Sequence, residues 1–232
     1  MNQIWKERGK RFWRNWLRPV LSVVIVLSTF RSAVADWNDV PTGSMKPTIL
    51  EGDRIFVNKL AYDLKVPFTR YRLFEWAEPQ RGDVVILFSP ADGMRLVKRV
   101  IGVPGDLIEL RDNRLYINHQ PAQYARLDEE TIQQIVEAER PFHRFAEEST
   151  GDRPHPVMTT PGAIARRSFP PVVVPNHCYF VMGDNRDESA DSRAFGFVER
   201  DNIVGEATRV VLSLDPTEYY LPRWDRFFRE LD

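Results

Sequence analysis

The chain has 232 residues, 43% apolar and 28% charged, which excludes a disordered or collagen-like polypeptide and leaves room for one or two domains. A single cysteine, Cys178, excludes an intrachain disulfide framework and a multi-thiolate zinc site. The net charge of −1 is unevenly spread: residues 1–31 carry seven basic side chains against Glu7, and the other 201 carry 25 basic and 32 acidic ones. An acidic body has no broad footprint for nucleic acid, so no such partner is expected; the basic head, set against an apolar run, points to a membrane.

At the amino terminus, Pro19 to Phe30 is a run of twelve uncharged residues between Arg18 and Arg31. As a helix this run spans about 18 Å, short of the ~30 Å hydrocarbon core. Two readings compete. One is a cleavable secretory signal ending in the small residues Ala33-Val34-Ala35, which the short length favours. The other is a retained anchor over residues 13–31, extended by snorkelling arginines and by Trp13 and Trp16 at headgroup level. Either way the basic flank keeps the terminus in the cytoplasm and puts the rest of the chain outside.

Beyond the anchor, short β-branched runs are separated by turn signals. The runs are Arg54 to Lys59, Asp83 to Phe88, Leu96 to Ile101, Leu107 to Leu110, Arg114 to Ile117, Cys178 to Met182 and Asn202 to Leu212. Between them stand Glu51-Gly52-Asp53, Arg81-Gly82-Asp83 and Pro104-Gly105-Asp106. The spacing predicts a mostly β barrel or sandwich. Asp112 to Pro175 is richer in Pro and charge and reads as an inserted subdomain. Within it a helix is predicted over Leu127 to Glu139, and a loose segment around Gly151 to Gly162. In the tail, Tyr219, Tyr220, Trp224, Phe227 and Phe228 are expected to pack against the domain rather than meet a membrane surface.

Three segments carry candidate chemistry. In Pro41-Thr42-Gly43-Ser44-Met45-Lys46-Pro47, Ser44 sits on a restricted turn, and a serine needs a base to become a nucleophile. His119, His143, His155 and His177 all lie in or beside the excursion and read as surface or loop residues. Lysine is the other candidate base, provided burial strips its proton near neutral pH. Lys98 lies in Leu96-Val97-Lys98-Arg99-Val100-Ile101, where alternation sends one of the two basic residues inward. From this run alone, an exposed edge-strand lysine is the reading that Lys98 favours. The third segment, Gly183 to Arg193, is a polar loop able to support a site. Its Asp184, Asp187 and Asp191 make a weak metal set, since Arg186 and Arg193 can neutralise them.

Taken together and in order, PTGSMKPTIL (Pro41 to Leu50), Arg54 to Lys59 with Arg81 to Val85, KRVIGVPGD (Lys98 to Asp106) and GDNRDESADSRAFG (Gly183 to Gly196) resemble bacterial type I signal peptidase. That family comprises membrane-anchored serine endopeptidases. The resemblance implies a signal-peptidase/LexA-like β-barrel-type core over 32–111 and 176–232. It also implies a retained anchor at 13–31, a cytoplasmic terminus at 1–12, and the insert at 112–175. It implies Ser44 as nucleophile, Lys98 as general base, and an oxyanion hole from the Ser44 amide and the Thr42 hydroxyl. Ser189 matches a serine that hydrogen-bonds the lysine, and Asp191 with Arg193 a bracing charged pair. Small residues in an Ala-x-Ala pattern would sit in shallow pockets of Val40, Pro41, Met45, Ile49, Leu96 and Val97, the peptide adding as a strand. No cofactor or metal is implied. Exported preproteins and membrane lipid are the implied partners, at the cytoplasmic membrane with the catalytic domain outside. A related Ser/Lys maturation peptidase, as in conjugative transfer, and an inactive membrane-anchored binding module are the alternatives.

Overall fold

The computed structural model describes residues 11–69, 71–151 and 153–231; the basic terminus expected at 1–12 falls mostly outside them. An apolar helix runs from Trp13 to Ala33, 21 residues or roughly 31 Å, long enough to cross a hydrocarbon core. It begins as a π-helical turn, Trp13–Leu17, and continues as α-helix through Arg18–Ala33. The helix is longer than the twelve-residue apolar run because Trp13, Trp16 and three arginines are wound into it. Val23, Val24, Ile25, Val26 and Leu27 are exposed, uncovered by the rest of the protein. At its far end Lys59 donates to the carbonyls of Arg31 (2.8 Å) and Ser32 (3.2 Å), closing helix acceptors that lack partners.

The body is built on an antiparallel eight-stranded sheet. Its order is Ala35–Asp39, Asp53–Asn58, Ile203–Asp215, Val84–Phe88, Arg95–Gly102, Cys178–Met182 and Val198–Glu199, with Leu221–Pro222 pairing the long strand. The mostly β, barrel-type architecture expected from the sequence is what the chain adopts. Both faces of the sheet are covered. Val84 and Ile86 join a cluster with Met45, Ile49, Ile55 and Val57, whereas Val85 and Leu87 join Tyr62, Val100 and Tyr179. Side-chain alternation along one strand thus feeds two cores.

The excursion adds Arg114–Ile117, Gln120–Pro121 and Phe169–Val173 to Leu107–Arg111, the strand just before it, in a four-stranded sheet. It also holds a three-stranded sheet of Gln123–Ala125, Arg144–Ser149 and His155–Thr159. The last of these corrects the expected loose segment: Val157 and Met158 are buried, and Pro156 is tolerated because this is an edge strand. The helix expected over Leu127 to Glu139 shrinks to Glu129–Gln133, capped by Asp128 accepting from the Thr131 amide at 2.7 Å. Leu127, Thr131 and Ile135 are buried there, one residue per turn and only two of them apolar, too narrow a stripe to hold three turns.

The tail also differs from expectation. Tyr219, Tyr220, Trp224 and Phe228 are exposed, and Arg226 is what packs inward. Its guanidinium meets Asp53 at 2.5 Å and the Thr48 carbonyl at 3.0 Å, both groups fully shielded from solvent. An arginine that satisfies a buried carboxylate fixes the tail more firmly than exposed rings could.

Candidate active site

Ser44 lies in the 3₁₀ turn Gly43–Met45, entered through Thr42 in an extended conformation. Met45 and Ile49 anchor the turn from below in the core. Lys98 comes from the strand Arg95–Gly102, opposite Val85 of its neighbour. Fifty-four positions apart in the chain, Lys98 Nζ and Ser44 Oγ stand 2.7 Å apart. A second bond runs from Lys98 Nζ to the Val97 carbonyl at 2.9 Å.

Lys98 is only 2% exposed, so the edge-lysine reading of its run is wrong. The next strand, Cys178–Met182, pairs along Arg99, Val100 and Gly102 and closes that side of the sheet. Burial drives the ammonium down to about 8, with Arg193 adding to the shift and the carboxylates of Asp191 and Asp184 opposing it. A neutral amine at hydrogen-bond distance from a hydroxyl can accept its proton.

Around this pair the loop Gly183 to Arg193 is tightly bonded. Asp191 takes Arg193 in a two-pronged ion pair at 2.8 and 2.7 Å and accepts the Gly183 amide at 3.0 Å. Burial would raise the Asp191 carboxyl, but the Arg193 guanidinium and the Gly183 amide hold it below the usual carboxylate range. The Asn185 amide donates to the Ser44 carbonyl at 3.2 Å, and Asn185 Nδ2 to the Gly43 carbonyl at 3.1 Å. Gly183 leaves no room for a side chain: a Cβ there would stand 2.4 Å from the Ser44 carbonyl oxygen and 2.3 Å from Ser189 Oγ.

The other expected residues distribute unevenly. Thr42 is exposed at the start of the turn and makes no side-chain cap bond. Ser189 is close to Gly183 but gives Lys98 no hydrogen bond, its Oγ being buried without a partner among the described residues. Of the pocket set, Pro41 is exposed, Leu96 and Val97 are half-buried, and Val40, Met45 and Ile49 lie in the core. Met45 and Ile49 have no accessible surface and lie in the core, so neither presents the ligand-touching surface expected of it.

Reading the residues alone missed the partners of Asp184, Asp187 and Arg186. Arg99 pairs in two prongs with Asp184 at 3.0 and 2.9 Å, and Thr48 donates to the same carboxylate at 2.5 Å. Asp187 is held by Arg167 and by Asn113 Nδ2 at 2.8 Å. Arg186, expected to neutralise these aspartates, turns to Glu148 instead. His155, expected in a surface or loop position, is buried beside that pair. Two adjacent basic residues in an apolar strand were the available signal for the Arg99 pair; nothing local announces Glu148.

The sequence model described as signal peptidase, peptidase S26, matches residues 13–212. This chain belongs to that family. A signal peptidase I from Pseudomonas fluorescens is 35% identical, the match covering 95% of this chain and 77% of that one. One from Pseudomonas aeruginosa is 34% identical with the same coverage. A crystal structure of a signal peptidase I from Enterococcus faecalis V583 is 35% identical over 57% of this chain and 98% of its own, at a TM-score of 0.35. As a member of the signal peptidase family the chain is a serine-type peptide hydrolase that cleaves signal peptides. The helix Trp13–Ala33 suits the attachment of such a peptidase to a membrane.

Proposed function

We propose that this chain is a membrane-anchored endopeptidase that removes signal peptides from exported preproteins through a Ser44/Lys98 dyad. The observation that carries this reading is the 2.7 Å contact between a serine hydroxyl and a lysine whose burial lowers it to about 8.

Neutral Lys98 takes the Ser44 proton as Oγ attacks the scissile carbonyl. The carbonyl π electrons move onto oxygen, where the Ser44 amide and the Thr42 hydroxyl donate to the oxyanion. When the tetrahedral intermediate collapses, the C–N bond breaks and the Lys98 ammonium returns its proton to the leaving amine. Water then repeats the sequence: Lys98 removes its proton, the acyl–oxygen bond breaks, and Ser44 is reprotonated. Desolvation keeps Lys98 competent as a base, so the hydrocarbon around it serves the reaction directly. Asp191 and Arg193 brace the loop beside the amine, and Ser189, next to Gly183 in that loop, would be the residue that orients Lys98.

The peptide would add as a strand along Arg95–Lys98, which is paired by Val84–Phe88 on one side and lies beyond the last partner of Cys178–Met182 on the other. Pro41, Leu96 and Val97 offer surface there for small residues in an Ala-x-Ala pattern. The arginine-rich start of the helix would stay in the cytoplasm and the body outside, with lipid around Trp13–Ala33. A division into a core at 32–111 and 176–232 and an insert at 112–175 is supported by the separate three-stranded sheet of the insert, with Leu107–Arg111 pairing across the boundary to insert strands.

Ser44→Ala and Lys98→Ala each remove one half of the dyad, and cleavage of a preprotein should fall by at least about 10³-fold in either. The checks are product formation on a gel and an unchanged melting temperature. Wild-type turnover by either folded variant would sink the dyad.

A further inference from the structure

The segment 112–175 supplies no atom to the Ser44–Lys98 contact, yet two strands of its small sheet bond directly to the loop that holds Ser44 and the third joins them through Glu148. Glu148, from Arg144–Ser149, accepts both arms of Arg186 at 2.6 and 2.5 Å. Tyr124, from Gln123–Ala125, donates its hydroxyl to the same carboxylate at 2.6 Å. His155, from His155–Thr159, places Nε2 3.4 Å from Glu148 Oε1. The main chain follows suit: the Met158 amide donates to the Asp184 carbonyl at 2.9 Å, and the Arg186 amide to the Met158 carbonyl at 2.8 Å.

These two main-chain bonds bracket Asn185, whose amide and side chain grip the carbonyls of Ser44 and Gly43. Glu148, Arg186 and His155 are all at most 2% exposed, so the cluster has no solvent to absorb a change. A buried ion pair of this kind adds little net stability compared with a hydrophobic replacement, but it fixes geometry. A shift of about 1 Å at a nucleophile can cost on the order of 10²-fold in rate. Burial alone would raise the Glu148 carboxyl, and the Arg186 charge overrides it and holds the group ionised.

We propose that Glu148 and Arg186 are positioning residues: the inserted sheet, through this pair and Asn185, sets where the Ser44 hydroxyl stands relative to Lys98. The inference rests on Ser44 being the nucleophile. It gives the insert a part in the reaction at a site it does not touch.

The test uses the full chain in detergent micelles and a peptide containing a signal-peptide cleavage sequence. Glu148→Gln keeps the side-chain shape and removes the charge; kcat should fall about 10- to 100-fold with KM within about twofold. A loosened Ser44 admits water to Lys98, so the acid limb of the rate profile should move above its wild-type position. Tyr124→Phe should act in the same direction by a few-fold, and Arg186→Lys should recover part of what Arg186→Met loses. A merely structural pair would lower the melting temperature while leaving kcat per folded molecule and the pH profile unchanged, and that result overturns the proposal. If Glu148→Gln does not fold, Tyr124→Phe decides by the same readouts. Activity in Ser44→Ala would mean that the dyad reading had failed, whereas wild-type kcat and pH profile in Glu148→Gln, with Ser44→Ala inactive, would overturn the positioning role alone.

Discussion

Lys98 and Arg99 are consecutive residues of one strand, both shielded from solvent, and their surroundings are opposite in kind. Arg99 is matched: Asp184 takes two of its nitrogens and the Gly82 carbonyl accepts Nη1 at 2.8 Å. Lys98 has a hydroxyl and one carbonyl as neighbours, and no carboxylate in contact. A buried cation is ordinarily neutralised by a partner. At Arg99 the fold follows that rule and obtains a rigid joint between strand and loop. At Lys98 the fold withholds the partner, and the residue answers by giving up its proton near neutral pH. One region spends its charge on structure and the other keeps its amine available for proton transfer.

The matched side should be the more costly to break. Arg99→Met leaves the Asp184 carboxylate buried with only the Thr48 hydroxyl in support. Stability should fall by about 3–5 kcal/mol, read as the midpoint of urea unfolding. Burial would raise Asp184, and Arg99 is the chief group keeping it low, so removing the guanidinium invites protonation of the carboxyl. The loss should therefore be smaller in acid than at neutral pH. A variant as stable as the parent would show that the joint is dispensable and remove the contrast.

The unmatched side should respond in the reverse sense. Lys98→Met replaces an ammonium that burial disfavours with an apolar side chain of similar length. The gap between the free-lysine value of 10.5 and about 8 corresponds to about 3 kcal/mol. Because the folded value is the lower one, that penalty is complete below about 8, where both folded and unfolded chains carry the proton. It declines as pH rises through 8 and vanishes only above about 10.5, where the unfolded lysine also becomes neutral. Lys98→Met should therefore be inactive yet more stable than the parent at pH 7, with the advantage falling to about a quarter by pH 10. Equal stability at both pH values would mean that the amine is not buried as described.

How much of this contrast could be read beforehand depends on range. Cys178–Met182 and Arg114–Ile117 appear in the fold with the ends the sequence suggests, the first as a short continuous apolar run buried on both faces and the second as an alternating half-buried one. The Ser44 turn and the Gly183 loop stood out as polar punctuation between such runs. What was not legible depends on partners far along the chain. Lys98 looked like an exposed edge residue because its run does not say that the distant Ser44 turn will pack against its amine. Arg186 looked like a counter-ion for its neighbouring aspartates, and Glu148, thirty-eight positions upstream, claimed it. Tail aromatics looked like core, while Arg226 took the inward position because Asp53 waited there unmatched. Apolar pattern is a short-range signal; pairing of buried charges is decided by the finished fold.

The smallest expected effect is the most direct measure of the unmatched amine. If neutral Lys98 is the base, kcat/KM should fall about tenfold per pH unit on the acid side of a limb near 8 and level off above it. The sign follows from the base having to be unprotonated before substrate binds. Asp191 raises the Lys98 value and Arg193 lowers it, Asp191 being the larger influence of the two. Asp191→Asn removes the raising member and leaves Arg193 unpaired beside Lys98, which should carry the limb below 8 even as the loosened loop lowers the plateau. A limb that stays in place would mean that solvent, rather than the fixed charges around Lys98, governs its proton. A limb near 10.5 in the parent would mean that the amine is hydrated, and Lys98 would then be no different in kind from a lysine on the surface.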